Sequence, residues 1–375
     1  MREFYNSCLE IDLSIIRENA IKISQKLKYG KKLMPVIKGN AHGYGTEAVS
    51  RMLYDSLGIR TFACAQVIEG IKMRKAGITD ADIILLGPTI KEGIKYSVEY
   101  DIQMPVYTKE LADELNAEAK KAGKVQKAHI KIDVGLHRIG VLPENFEELL
   151  KYVMTLENIE IDGIYAHFSN AYAVDDPITK EQYRMYKECI NIAKELGVDP
   201  KYKHICCSGG STWVEDDIST HDRLGCMLIG FSPMENGTNP YGVEHASSWR
   251  AQITNICYLD KGDTVGYSTK KLDKPTKTAT VNVGICDGFF KPLADCGAPV
   301  LVKGKRGKYI SVCMDQMFID VTGIDCQIGD EVTIFGKDPE GAVLSTDELA
   351  QITGWGNTLF HGCLTDRVKR DYINY

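Results

Sequence analysis

One lysine, Lys38, closes the apolar run Met34-Pro35-Val36-Ile37 and is followed closely by Gly39, Gly43 and Gly45. A lysine at the carboxyl end of a buried strand stands where α/β enzymes place their chemistry. There its amine can be desolvated and freed to form a Schiff base with a carbonyl. Taken alone, the simpler reading is that Lys38 ends a strand and points into water. Four more stretches bring reactive groups to comparable places. KIDVGLHRIG carries Lys131, Asp133, His137 and Arg138, and IYAHFSN carries His167. CSGGS supplies Ser208, Gly209, Gly210 and Ser211, and DRLGC supplies Arg223, Gly225 and Cys226. Singly, each has a structural explanation: a strand-end arginine pairs with a surface acid, and Ser-Gly-Gly makes a turn. Jointly they match a barrel mouth, where one active site is assembled from the ends of several strands.

The elements that would position these groups alternate along the chain. Short apolar strands are expected at 33–37, 61–65, 82–86, 103–107, 128–134, 163–168, 204–207 and 224–229. Amphipathic helices lie between them, such as 109–122 and 178–196. Eight strands alternating with helices predict a parallel (β/α)8 barrel, with an open doubly wound sheet as the alternative. Between Ser232 and Ser248 the texture changes to turn formers without periodicity, and beyond it helical patterns nearly vanish. Strands are expected there at 250–260, 278–283, 300–302, 309–313 and 331–335. The expected organisation is a barrel over residues 1–240 and a mainly β domain over 241–375. The alternating run through Asp12 is available to add a strand to that second domain.

Composition narrows the class. The 375 residues are 44% hydrophobic and 26% charged, as in ordinary globular proteins. A formal charge of -6 provides no basic footprint for nucleic acid. No apolar run is long enough to span a bilayer, and Met1–Glu10 has no signal-peptide pattern. Twelve scattered cysteines without a CxxC fit a reduced, cytoplasmic setting rather than a disulfide framework or a metal site.

A glycine-rich turn after the seventh strand, with the Gly225 amide in the eighth, suits a phosphate cradle. A phosphate cradle plus a Schiff-base lysine points to pyridoxal phosphate, which needs an imine lysine, a group at the pyridine nitrogen and an anion site. The motifs then resemble a family. VIKGNAHGYG is similar to the cofactor-lysine motif of alanine racemases, commonly VKANAYGHG. KIDVGLHRIG, AHFSNAY, DRLGCMLIGFSP, GDTVGYS, VGICDGFFK and SVCMDQM resemble that family's further motifs in order, from residue 9 to beyond 315. The resemblance implies a homodimer whose active site lies at the barrel mouth, faces the partner's β domain and takes an amino acid. Lys38 would carry the cofactor and act as one base, and Tyr267 of the partner subunit would be the other. Racemisation needs such a pair, one on each face of the α-carbon. His167 and Arg223 would assist the tyrosine, and Arg223 would also keep the pyridine nitrogen unprotonated. Arg138 would meet the cofactor's phenolic oxygen and the substrate carboxylate, and Lys131 is the position that can carry a carbamate holding Arg138. Ser208, Gly225 and Cys226 would bind phosphate, Met314 the substrate carboxylate through its amide, and Asp315 would brace the site.

Departures from the family bear on the substrate. His42 stands where the cofactor-contacting tyrosine is expected, and Tyr44 where a histidine is. GYADG reads Gly284-Ile285-Cys286-Asp287-Gly288, an arginine is replaced by Ser311, and a tyrosine at the entrance is replaced by Asp366. If Asp366 and Ser311 line the entrance, the site is wider and more acidic, suiting a larger or basic amino acid (lysine, arginine, ornithine) or serine instead of alanine. Decarboxylases of similar layout place an acid at the pyridine nitrogen and a cysteine at the reprotonation site, where this chain has Arg223 and Tyr267. A non-catalytic carrier of the cofactor would need neither Tyr267 nor the β domain.

Overall fold

The computed structural model describes residues 5–235, 237–267, 271–289 and 291–375. The chain forms two units, residues 16–244 and residues 1–15 with 245–375. Strand β1 (Ser7–Asp12) opens the latter.

Among the described residues, the unit of residues 16–244 holds eight strands: β2 (Lys32–Pro35), β3 (Thr61–Cys64), β4 (Asp82–Leu85), β5 (Ile102–Val106), β6 (Gln126–Lys131), β7 (Ile159–Tyr165), β8 (Tyr202–His204) and β9 (His221–Leu224). Strands β3 to β8 pair in sequence order, all parallel, and β2 pairs parallel with β9. Two seams close the ring. Val36 bridges Ala63 beyond β2, with Ile37 N donating to Ala63 O at 2.7 Å. Thr220 N donates to Lys203 O at 2.7 Å, and Arg223 N to Cys206 O at 3.0 Å. The result is the expected (β/α)8 barrel. Strands β3, β4 and β5 are buried almost throughout, which is why they read as short apolar runs rather than alternating ones. The intervening helices follow from caps and stripes. Thr108 Oγ1 accepts from Leu111 N at 3.2 Å to start Lys109–Lys121, whose Ala112, Leu115 and Ala119 form the buried stripe. Asp176 caps Pro177–Glu195 in the same way, accepting from Thr179 N at 2.7 Å.

One barrel strand is misplaced by sequence reasoning. The apolar stretch expected as a strand at 224–229 is a 3-10 turn, Cys226–Ile229, and the strand is β9 just before it. Gly225 leaves the extended region (φ −122°, ψ −75°), and Met227, Leu228 and Ile229 are all buried, so no periodicity distinguished strand from turn. The sixth and seventh strands likewise end earlier than expected. This leaves His167 and Ser208 on the loops that follow β7 and β8.

The other unit is mainly β. Strands β10 (Ser247–Leu259), β11 (Thr276–Val281), β12 (Pro299–Val302), β13 (Lys305–Val312), β14 (Met317–Asp320), β15 (Glu331–Lys337), β16 (Val343–Leu344) and β17 (Lys369–Ile373) join β1 in a nine-stranded sheet. β1 lies antiparallel to β10 and parallel to β17. An extra β10–β15 pairing curls the sheet around a core that includes Trp249 and Phe335, whose ring centroids are 5.8 Å apart.

Candidate active site

At the carboxyl ends of the barrel strands lies a cavity of about 390 Å3. Lys38, His42, Arg138, His167, Ser208, Arg223, Gly225 and Cys226 all line it, together with Tyr165, Tyr172 and Cys207. The sequence therefore brought eight expected residues to one place. Lys131 lies deeper, 2% exposed, its Nζ donating to Ile132 O and sitting 5.3 Å from the Tyr165 ring centroid.

The chain after Lys38 is strained. Gly39, Asn40, Ala41 and His42 all adopt left-handed helical angles (φ 53° to 60°), and Gly43 N donates to Gly39 O at 2.9 Å to close the turn. Three of the four carry side chains, at a cost of about 1–2 kcal/mol each. The buried Glu69 holds the turn: one carboxylate oxygen accepts from Gly39 N at 2.6 Å, the other from Ala65 N and Gln66 N at 2.9 and 3.0 Å. Strain supported in this way is characteristic of functional sites. Sequence reasoning missed Glu69, although Gln66 and Glu69 have the spacing of a capping box.

Arg223, 2% exposed, forms the most elaborate polar centre of the cavity. Its Nη1 donates to His204 Nδ1 (2.6 Å) and His204 O (2.9 Å). Its Nη2 donates to Ala166 O, His167 Nδ1 and Ile205 O, each at 2.9 Å. All five acceptors are neutral. Because a guanidinium can only donate, His167 carries its proton on Nε2. Burial, then the charges of Arg223 and Arg138, hold His167 well below its ordinary value, so it is neutral. His42 is lowered to about 4 by burial and by Lys38. Burial, reinforced by Arg223 against the pull of Asp133, lowers Lys131 to about 7.

Opposite, Ser208 Oγ accepts from Gly225 N at 3.3 Å, joining the loop after β8 to the end of β9. A Cβ on Gly225 would lie 2.5 Å from His42 Cε1 and 3.0 Å from its Nε2, so the glycine lets the His42 ring come up against this backbone. His42 thus packs where the resemblance places a tyrosine.

Tyr267, Met314, Asp315 and Asp366 belong to the β unit. Tyr267 is 86% exposed, on a turn whose Gly266 has φ +59°; a Cβ there would come 2.8 Å from Phe318 Cε2 and 3.1 Å from Ser311 Oγ. Ser311 therefore lies directly beside the turn that carries Tyr267. Three of the expected motifs converge in this unit. Cys286 N donates to Met314 O (2.9 Å), and Asp287 accepts from Gly284 N (2.8 Å). Arg367 joins Asp287 (2.9 Å) to Asp315 (2.8 Å). Met314 is 54% exposed, and Asp366 sits exposed in the turn before β17.

Comparison with known proteins agrees with these motifs. Residues 11–233 match the family "Alanine racemase, N-terminal domain", and residues 246–372 match "Alanine racemase, C-terminal domain". The alanine racemase of Methanococcus maripaludis is 34% identical, covering 97% of this chain and 98% of its own. That of Clostridium tetani is 32% identical, covering 97% and 94%. The solved alanine racemase of Bacillus anthracis with bound L-Ala-P superposes at a TM-score of 0.92, with 29% identity over 100% of this chain and 96% of that one. Both halves match in order, and full-length relatives exceed 30% identity: the chain belongs to the alanine racemase family.

Proposed function

We propose that the protein is a pyridoxal-phosphate-dependent racemase of alanine, acting as a cytoplasmic homodimer. The observation that carries this reading is the single cavity that gathers Lys38, Arg138, His167, Ser208, Arg223 and Gly225. These residues fit the cofactor. Lys38 offers the amine, Arg223 a buried donor for the ring, and the Ser208–Gly225 junction backbone that a phosphate can approach. The bound cofactor supplies an electron sink for the α-carbon.

The protein's own groups supply the rest. Lys38, which lines the cavity, takes or returns the α-proton on one face, and Tyr267 of the partner subunit does so on the other. The exposure of Tyr267 suits a residue that serves a second subunit. Arg138 holds the substrate carboxylate, and Met314 offers its amide to the same group. Asp315, through Arg367, anchors the segment carrying Met314. Lys131 is the candidate for a carbamate: with its pKa lowered to about 7, much of the amine is neutral near physiological pH and able to attack carbon dioxide. Arg223, bonded among the described residues only to carbonyls and imidazoles, argues against a decarboxylase, whose acid would protonate the pyridine nitrogen.

A second reading, a larger or basic amino acid (lysine, arginine, ornithine) or serine, is favoured by Ser311, whose short side chain lies beside the Tyr267 turn. A substrate panel distinguishes the two. Holoenzyme offered each L-amino acid should form D-alanine fastest, and Lys38→Ala should form none. Faster turnover of lysine, arginine, ornithine or serine would transfer the assignment to that substrate, and no racemisation at all would refute both readings.

A further inference from the structure

Beneath Arg223 a file of polar side chains crosses the barrel interior. His204 Nε2 lies 3.1 Å from His129 Nδ1, and His129 Nε2 lies 2.7 Å from Gln103 Oε1. Gln103 Nε2 donates to Asp82 Oδ1 at 2.9 Å and to Asp162 Oδ2 at 3.0 Å. His129 and His204 are 0% exposed and Gln103 2%. The residues come from β4, β5, β6, β7, β8 and β9, so the file uses most of the barrel. Both imidazoles are clamped by aromatic rings: His204 stacks on Tyr165 (4.9 Å, 15°) and His129 on Tyr202 (5.5 Å, 23°). Gly163, paired with His129 across β6 and β7, leaves room for the ring; a Cβ there would lie 2.1 Å from His129 Nδ1.

The ends of the file set its direction. A guanidinium only donates and a carboxylate only accepts. His204 must therefore accept at Nδ1 and donate from Nε2, and His129 must accept at Nδ1 and donate from Nε2 to the Gln103 oxygen. Only then does the amide nitrogen face the carboxylates. Burial keeps both imidazoles neutral: His129 is lowered to about 3 and His204 well below its ordinary value. At the far end, Asp82 also accepts from Tyr202 (2.5 Å) and Lys201 (2.6 Å), and Lys127 lies 3.4 Å from Asp162. Burial pushes Asp82 up, but the bonds from Lys201 and Tyr202 hold it below the usual carboxylate range.

We propose that Gln103 and His129 are positioning residues for Arg223, passing the orientation set by Asp82 and Asp162 through a one-way relay that keeps His204 in the tautomer that accepts from the guanidinium. The reverse tautomer would aim an N–H at the Nη1 donor across 2.6 Å and displace it. The consequence for turnover rests on the reading of Arg223 as the group facing the cofactor's ring nitrogen; the tautomers do not.

The test uses holoenzyme with 15N-labelled histidine, kinetics with L-alanine, and two variants. Gln103→Met keeps the volume and removes the amide. With no acceptor left for His129 Nε2, the two imidazoles should depart from the wild-type tautomer pattern, and the cofactor absorbance should change while kcat/KM falls about ten- to a hundredfold, mostly in kcat. Gln103→Glu again offers His129 an acceptor, and a proton shared with Asp82 or Asp162 replaces the amide N–H. It should restore the His204 tautomer and most of the rate while melting below wild type. If Gln103→Met does not fold, Gln103→Ala carries the same readouts. A wild-type tautomer pattern in the variant lacking the amide would overturn the proposal. So would a rate loss that persists in Gln103→Glu after the tautomer is restored. If wild-type holoenzyme fails to racemise alanine, the functional reading falls and the tautomer comparison alone decides the relay.

Discussion

Gly163→Ala adds one methyl group at the most crowded point of the barrel core. The new Cβ would lie 2.1, 2.3 and 2.6 Å from His129 Nδ1, Cε1 and Cγ. The ring would have to retreat by roughly 1.3 Å to reach ordinary contact. It has nowhere to go without loss, since Tyr202 stacks on it, Tyr165 meets it edge-on at 6.2 Å, and its bonds of 3.1 and 2.7 Å hold it in line. Overpacking costs about 1–3 kcal/mol, and an unmade bond at a buried imidazole about 1–3 more, so the expected loss is about 2–6 kcal/mol. Removing the ring gives the methyl group its space. In Gly163→Ala/His129→Ala the two changes should therefore be non-additive, with a coupling of about 2 kcal/mol or more. The assay is urea unfolding of the four proteins at fixed protein and cofactor concentration, because both bias the apparent stability. Additive losses would refute the placement of His129 against Gly163.

Three further outcomes follow from buried charge and from the shared site. Lys131 has a lowered folded pKa of about 7, so it destabilises the fold fully below that pH. The penalty is relieved as pH rises from about 7 toward its unfolded value; with carbon dioxide excluded so that the amine stays unmodified, wild-type stability relative to Lys131→Met should climb through that window, and a flat difference in denaturation curves would contradict it. Lys31, 6% exposed, sits 3.0 Å from Asp222 and 3.7 Å from Asp216, while burial, only partly countered by Lys31, raises Asp222 to about 6. Lys31→Met should cost about 3–5 kcal/mol at pH 8 and much less at pH 5, where Asp222 takes up a proton; a pH-independent loss in urea unfolding would argue against the ion pair. Finally, Lys38→Ala and Tyr267→Phe, each inactive alone, should regain racemisation when dissociated and reassociated together, because one site of the hybrid is intact. Failure of a hybrid verified by mass spectrometry would remove Tyr267 from the partner's site.

Much of the barrel site was legible because its residues stand at punctuation. Lys38 precedes a glycine cluster, Ser208 opens Ser-Gly-Gly, and Gly225 follows Arg223, so strand ends and tight turns announced them together. The last strand was misread because Met227 to Ile229 are buried on every side, leaving no period to tell a 3-10 turn from a strand. Gln103, His129 and His204 were invisible for a different reason. Gln103 is a lone polar residue in an apolar strand, His129 and His204 sit in the mixed strands QKAHIK and YKH where nothing singles them out, and only barrel closure brings the three into one file. Glu69 was hidden likewise, since its service to Gly39 depends on two neighbouring strand ends meeting.

The central claim, racemisation by two bases on opposite faces, is tested most directly with L-alanine and holoenzyme in D2O, sampled over the first turnovers. Two bases predict D-alanine deuterated at the α-carbon from the start, because the proton removed by one base is not the one returned by the other. D-alanine that retains its original α-proton would mean a single base acting on both faces and would contradict the roles given to Lys38 and Tyr267.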